Sequence, residues 1–297
     1  MKPIFRFAPS PNGYLHLGHA YSALMTDAMA RALGGTMLLR IEDIDLARSK
    51  PEFTAAIFED LRWLGLDWPE PVMRQSDRFA AYGQAFETLV QMGVVYPCFC
   101  SRTEVAAHAD GPDPDGAPRY GGTCRAIPRE MALERIASGE KAAWRLDMGR
   151  ALEIAGTVRA VREILPAPTP QSLNVDGVTE RELHPEDWGD AVIVRKDTPT
   201  SYHLSVVVDD AAQSVTHVTR GLDLYRATDL QVLLQQLLGL PTPVYAHHGL
   251  ILDDEEKKLS KSKGAPSLRS LREAGVPAAE IRRRVGFDQA ASFSATK

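Results

Sequence analysis

Two hydrophobic periods alternate along the first hundred residues. Residues 4–8 read as a short buried strand, ended by Pro9 and Pro11, with Gly13 in the turn that follows. Apolar positions at Leu17, Leu24, Ala28 and Ala32 then predict a helix over about 17–33, with Gly34 and Gly35 suited to its C-terminal cap. Residues 36–41 are near-continuously apolar, as in a parallel strand buried on both faces. Pro51 fits the first turn of a second helix whose Ile57, Leu61 and Leu64 share a face, and Gly65 ends it. A third helix is expected over roughly 78–92, with Gly93 beyond it.

Strand–helix alternation then lapses. Residues 97–125 are rich in Cys, Gly, Pro and Asp and read as an insertion, and 126–190 read as mixed, with a strand near 142–146. The pattern resumes with strands near 191–195 and 205–208, an apolar helix over about 227–238 and a strand near Val244. This predicts a doubly wound, parallel α/β fold. Its first half is 1–96, the insertion 97–190 and its second half 191–264, and short helices near 268–274 and 278–285 lie in a final segment, 265–297.

Composition narrows the class. The chain has 297 residues, 44% hydrophobic and 25% charged, which suits a globular enzyme with a sizeable core. No apolar run approaches the ~20 residues that cross a bilayer, and the first residues lack a secretory signal. Three cysteines argue against a disulfide framework, so a cytoplasmic setting is expected; separately, the chain is expected to be a monomer. The net charge of -5 excludes nucleic-acid binding by the whole surface. Any RNA contact must be local, and residues 257–297 hold ten Lys or Arg against three Asp or Glu.

Two motifs carry candidate chemistry. His16-Leu17-Gly18-His19 follows a strand and a Pro-rich turn and opens a helix. Helix N-terminal N–H groups attract phosphate, two imidazoles three residues apart share a face, and Gly18 lets a flat ring approach the backbone. Lys258-Leu259-Ser260-Lys261-Ser262 lies in a charged stretch ending at Gly264. Its lysines can neutralise charge developing between an α-phosphate and departing pyrophosphate. Neither a dinucleotide fingerprint nor a P-loop is present.

With these motifs in this order, the chain resembles the class I aminoacyl-tRNA synthetases, and within them the glutamyl branch. The resemblance rests also on Phe5-Arg6-Phe7-Ala8-Pro9-Ser10-Pro11, on Arg40-Ile41-Glu42-Asp43-Ile44-Asp45, on Tyr202 and His203 with Val208-Asp209-Asp210, and on Thr219-Arg220-Gly221-Leu222-Asp223-Leu224. It implies that His16, Gly18, His19 and Lys261 bind ATP, with His16, His19, Lys258 and Lys261 catalytic. It further implies that Arg6, Phe7, Ala8, Pro9, Ser10, Glu42, Tyr202 and Arg220 bind glutamate. The residue types agree: two arginines and one carboxylate complement a ligand with two carboxylates and one ammonium, and Tyr202 adds a hydroxyl. The cluster Glu42, Asp43 and Asp45 raises a metal site as an alternative, but magnesium is expected to arrive with ATP.

Cys98, Cys100 and Cys124 all fall in the insertion, and Cys-x-Cys with a third cysteine can supply three of four tetrahedral zinc ligands. General ligand preference nominates His108 as the fourth, whereas the resemblance implies Tyr120. Such a zinc would be structural. Only 33 residues follow Gly264, which resembles the truncated glutamyl-queuosine tRNA(Asp) synthetases more than synthetases with an anticodon-binding region. That resemblance implies ATP, L-glutamate and tRNA(Asp) carrying queuosine as partners, with glutamate activated without tRNA. Three readings compete with it. They are a minimal glutamyl-tRNA synthetase charging a 3′ end, an adenylate-forming enzyme with a small-molecule acceptor, and a non-catalytic RNA-binding paralogue.

Overall fold

The computed structural model describes residues 2–156, 158, 160–251 and 266–287. Strand β1 (Ile4–Phe7) leads through a proline turn into helix α1 (Leu17–Ala32), followed by β2 (Thr36–Ile41), α2 (Pro51–Trp63), β3 (Met73–Arg74) and α3 (Phe79–Gln91). Next come β4 (Val95–Cys98), α4 (Arg102–Ala107), α5 (Arg129–Ala137), β5 (Ala143–Leu146), α6 (Met148–Ala155), β6 (Ala160–Ile164), β7 (Val178–Glu182) and β8 (Val192–Val194). The second half continues with α7 (Tyr202–Ala212), β9 (His217–Gly221), α8 (Ala227–Leu237) and β10 (Val244–His248), and α9 (Leu268–Glu273) and α10 (Ala278–Arg284) close the described chain.

β1, β2 and β3 are parallel neighbours in that order, and β6, β10 and β9 form a second parallel group with β7 antiparallel at its edge. The two groups meet where β1 abuts β9. The Thr216 N–H donates to Ile4 O at 2.9 Å, and the rings of Phe5 and His217 stack at 4.8 Å. The lateral order is therefore β3-β2-β1-β9-β10-β6-β7. The chain changes direction of winding between β1 and β9, where an open α/β sheet forms its ligand crevice. Apolar side chains hold both faces: Phe5, Leu39, Ile41, Met25 and Met29 are buried with Leu268 and Ile281 from the last helices, so 268–287 packs onto the first half. A second cluster joins α3, α6, α7 and α8 through Leu89, Ala151, Leu204, Leu230 and Leu234.

The structure revises three local expectations. Residues 205–208 were expected as a strand; they lie inside α7, which Ser201 caps by accepting the Leu204 N–H at 3.4 Å. A four-residue apolar run does not separate a strand from a buried helix, and here the cap decides. The strand near 191–195 exists as β8, but it pairs with β5 in a small antiparallel sheet, β4-β5-β8, rather than in the parallel one. Lastly, residues 97–190 have two destinations. The part up to β5 builds the small sheet, while the β6–β7 hairpin extends the main sheet through β10.

Candidate active site

A cavity of about 680 Å³ opens at the carboxyl ends of β1, β9 and β10. Arg6, Phe7, Ala8, Pro9, Ser10, His16, Gly18, His19, Glu42, Tyr202 and Arg220 all line it. The sequence therefore named one contiguous surface from five separate chain segments. Lys258 and Lys261 lie outside the described residues.

His16 is the N-cap of α1, and its Nδ1 accepts the Gly18 N–H at 3.1 Å. His19 returns the bond, its Nδ1 accepting the His16 N–H at 3.2 Å, and the ring centroids lie 3.9 Å apart. With both Nδ1 atoms accepting, the neutral form of each ring carries its proton on Nε2. Gly18 has a role the motif alone did not reveal. A Cβ there would meet His16 Cε1 at 3.1 Å and Nδ1 at 3.2 Å, so glycine lets the imidazole fold back over the first turn.

The cavity floor alternates in charge. Arg6 donates from Nε to Asp210 Oδ1 at 3.1 Å, and Arg40 Nη1 reaches the same oxygen at 2.7 Å. Arg40 Nη2 donates to Glu42 Oε1 at 3.1 Å. Burial disfavours the charge on Asp210, but Arg6 and Arg40 outweigh it and hold its pKa below the ordinary value. At Glu42 burial wins over the same two arginines and raises the pKa. Arg40 and Asp210 were not named as site residues, since neither lines the cavity and each acts through a neighbour.

Arg220 is held differently. Its guanidinium donates to Gln231 Oε1 at 2.7 Å, Thr228 Oγ1 at 2.7 Å and His247 Nε2 at 3.2 Å, all neutral acceptors. None of these three partners is a carboxylate, and the side chain is buried, its relative exposure being 5%. Tyr202, the first residue of α7, also faces the cavity. Its neighbour His203 packs edge-on to Trp188 at 4.9 Å, and burial with Arg220 and Arg195 pushes its pKa down to about 3. His248 also lines the cavity, its Nε2 3.0 Å from Ser22 Oγ. The pair His247-His248 was visible in the sequence, but its strand position gave no hint of opposite roles.

A second cluster lies in the small sheet. The Sγ atoms of Cys98, Cys100 and Cys124 all lie within 4.8 Å of one another, and three such thiols could hold a metal ion. Cys98 ends β4, and Cys124 sits in a 3-10 turn entered through Gly122 at φ 86, a left-handed conformation that favours glycine. The Tyr120 hydroxyl stands 3.5 Å from Cys100 Sγ and accepts the Cys124 N–H at 2.8 Å. His108, at the end of α4, turns Nδ1 to Glu104 O at 2.8 Å and is not part of the cluster. Three cysteine sulfurs this close together suit a metal ion of borderline softness.

Among the described residues no helix is long and apolar enough to cross a membrane. The family model for the catalytic domain of class I tRNA synthetases (E and Q) matches residues 4–291. A glutamyl-Q tRNA(Asp) synthetase of Rhodobacter capsulatus is 48% identical over 294 residues, covering 96% of this chain and 100% of that protein. A glutamate–tRNA ligase of Aquifex aeolicus is 38% identical over 273 residues, but the chain spans only 54% of that protein's length. Among solved structures, the glutamate-tRNA synthetase from Elizabethkingia anophelis superposes with a TM-score of 0.68 at 27% identity, over 93% of this chain and 54% of that one.

Proposed function

The chain belongs to the catalytic-domain family of the class I glutamyl and glutaminyl tRNA synthetases, and from that footing we propose that it activates L-glutamate with ATP and transfers the glutamyl group to queuosine in the anticodon loop of tRNA(Asp). The observation that carries the first step is the placement of Arg6, Glu42, Tyr202 and Arg220 in one cavity with the His16/His19 pair. The acceptor follows from the full-length match to a glutamyl-Q tRNA(Asp) synthetase, against half-length matches to glutamate–tRNA ligases.

In this reading Arg220 takes the side-chain carboxylate, Glu42 the ammonium, and Arg6 and Tyr202 complete the grip. His16, His19 and the first turn of α1 hold the triphosphate beside the α-carboxylate. A carboxylate oxygen attacks the α-phosphorus as the bond to pyrophosphate breaks, giving glutamyl-adenylate. Lys261, with Lys258, stabilises the charge that collects on the leaving group. An acceptor hydroxyl then attacks the acyl carbon, and AMP departs with the bonding electron pair, its phosphate taking up the hydroxyl proton. Magnesium would enter with ATP and screen its phosphates. Zinc on Cys98, Cys100, Cys124 and Tyr120 would brace the small sheet, because adenylation needs no activated water.

The test is pyrophosphate exchange with each amino acid, with and without tRNA. Exchange dependent on glutamate alone, and undiminished without tRNA, supports the reading. Exchange with another amino acid, or none without tRNA, contradicts it.

A further inference from the structure

A carboxylate stands behind Arg220 with the His247 ring between them. Three of its five N–H donors are engaged, and one goes to His247 Nε2. Thr228 Oγ1 accepts from Arg220 Nη2, so its own hydroxyl proton is available to His247 Nε2, 3.2 Å away. Two donors thus converge on Nε2, which can carry no proton of its own. The proton of the ring must sit on Nδ1, and Nδ1 lies 2.6 Å from Glu163 Oε1. Glu163 comes from β6, in the hairpin that extends the main sheet, and is 1% exposed. Its other oxygen meets Arg181 Nε at 2.7 Å.

The opposite tautomer would present an N–H to the Arg220 N–H, two donors face to face. A doubly protonated ring would add a second positive charge beside the guanidinium. Burial pushes the His247 pKa down to about 4, against the pull of the Glu163 bond, and so favours the neutral ring. The tautomer remains to be fixed, and a hydrogen bond from the far nitrogen is the ordinary means.

We propose that Glu163 is a positioning residue for amino-acid selection, which through the tautomer of His247 aims the Arg220 guanidinium and leaves its charge unneutralised for the substrate's side-chain carboxylate. This rests on the role given to Arg220 in the proposed function. The logic is a separation of charge. A carboxylate placed directly on Arg220, as Asp210 is on Arg6, would already be the counter-ion that the substrate must supply. Interposing a neutral imidazole keeps the orienting force of Glu163 and withholds its charge. A site tuned this way favours glutamate over glutamine, because only the carboxylate supplies the missing charge.

The experiment has two arms. In the first, pyrophosphate exchange is measured for the parent, Glu163→Ala and Glu163→Gln with glutamate and with glutamine. For Glu163→Ala the glutamate KM is expected to rise about 10-fold, with the ATP KM unchanged and the preference for glutamate over glutamine reduced by a similar factor. Glu163→Gln, whose amide oxygen can still accept from Nδ1, should recover most of that loss. A Glu163→Ala enzyme with parental glutamate KM and preference, or a Glu163→Gln enzyme as impaired as Glu163→Ala, overturns the proposal. The second arm needs no variant that might misfold at Glu163. In the 15N-histidine spectrum of the parent, the His247 signal, identified by its loss in His247→Asn, should show the proton on Nδ1. A proton on Nε2 overturns the proposal. Exchange by the parent with glutamate tests the underlying reading separately, so the two failures are distinguishable.

Discussion

Arg6 and Asp210 are 204 positions apart in sequence, yet Arg6 Nε lies 3.1 Å from Asp210 Oδ1, with both side chains buried. The contact ties the first strand to α7 and joins the two halves of the sheet at the ligand crevice. Asp210 also faces Arg40 at 2.7 Å.

Asp210→Ala would leave two buried guanidiniums without their shared counter-ion. The expected cost is about 3–5 kcal/mol of stability, read by denaturant unfolding. The folded pKa of Asp210 is depressed, so its contribution is fully present above the unfolded value of about 3.9 and is lost as pH falls through the lower, folded value. The stability difference between parent and variant should therefore shrink below about pH 4 and not above it. A difference independent of pH would deny the ion pair its role.

Arg220→Ala is expected to cost about 1.5–3 kcal/mol in glutamate binding, roughly 10- to 150-fold in apparent affinity, with ATP binding little changed. Titration of each substrate in the exchange assay measures both. An unaltered glutamate affinity would make Arg220 purely structural.

Lys261→Ala should lower turnover by roughly two to three decades, with a much smaller effect on glutamate affinity, since the charge it meets develops only in the transition state. Single-turnover formation of glutamyl-adenylate reports this directly. Turnover within a few-fold of the parent would remove Lys261 from the mechanism.

Metal analysis of the purified protein should give one zinc per chain. Tyr120→Phe should weaken its retention against a chelator, whereas His108→Ala should not, because His108 is turned to Glu104 O. Loss of zinc only in the histidine variant would reverse the ligand assignment.

The sequence exposed the cavity's wall but not what stands behind it. Arg6, Glu42, Tyr202, Arg220 and the histidine pair were legible because each sits in a short motif at a strand end or helix start. Asp210, Thr228, Gln231, His247 and Glu163 were not read as partners, since their hydrogen bonds are made only once distant segments pack. Glu163 shows the difficulty best. It is a lone acidic residue in Ala-Val-Arg-Glu-Ile, and nothing local marks it as buried, because its counter-charge comes from Arg181 on the next strand. Local pattern also failed at 205–208, where the Ser201 cap outweighs the strand-like composition of the valines.

Labelled glutamate, ATP and the enzyme are incubated with two RNA pools, from cells able and unable to make queuosine. Label should enter only the first pool, on tRNA(Asp), and should survive removal of the 3′ end. Label on the 3′ adenosine, or equal labelling of both pools, would contradict the account and favour a minimal glutamyl-tRNA synthetase.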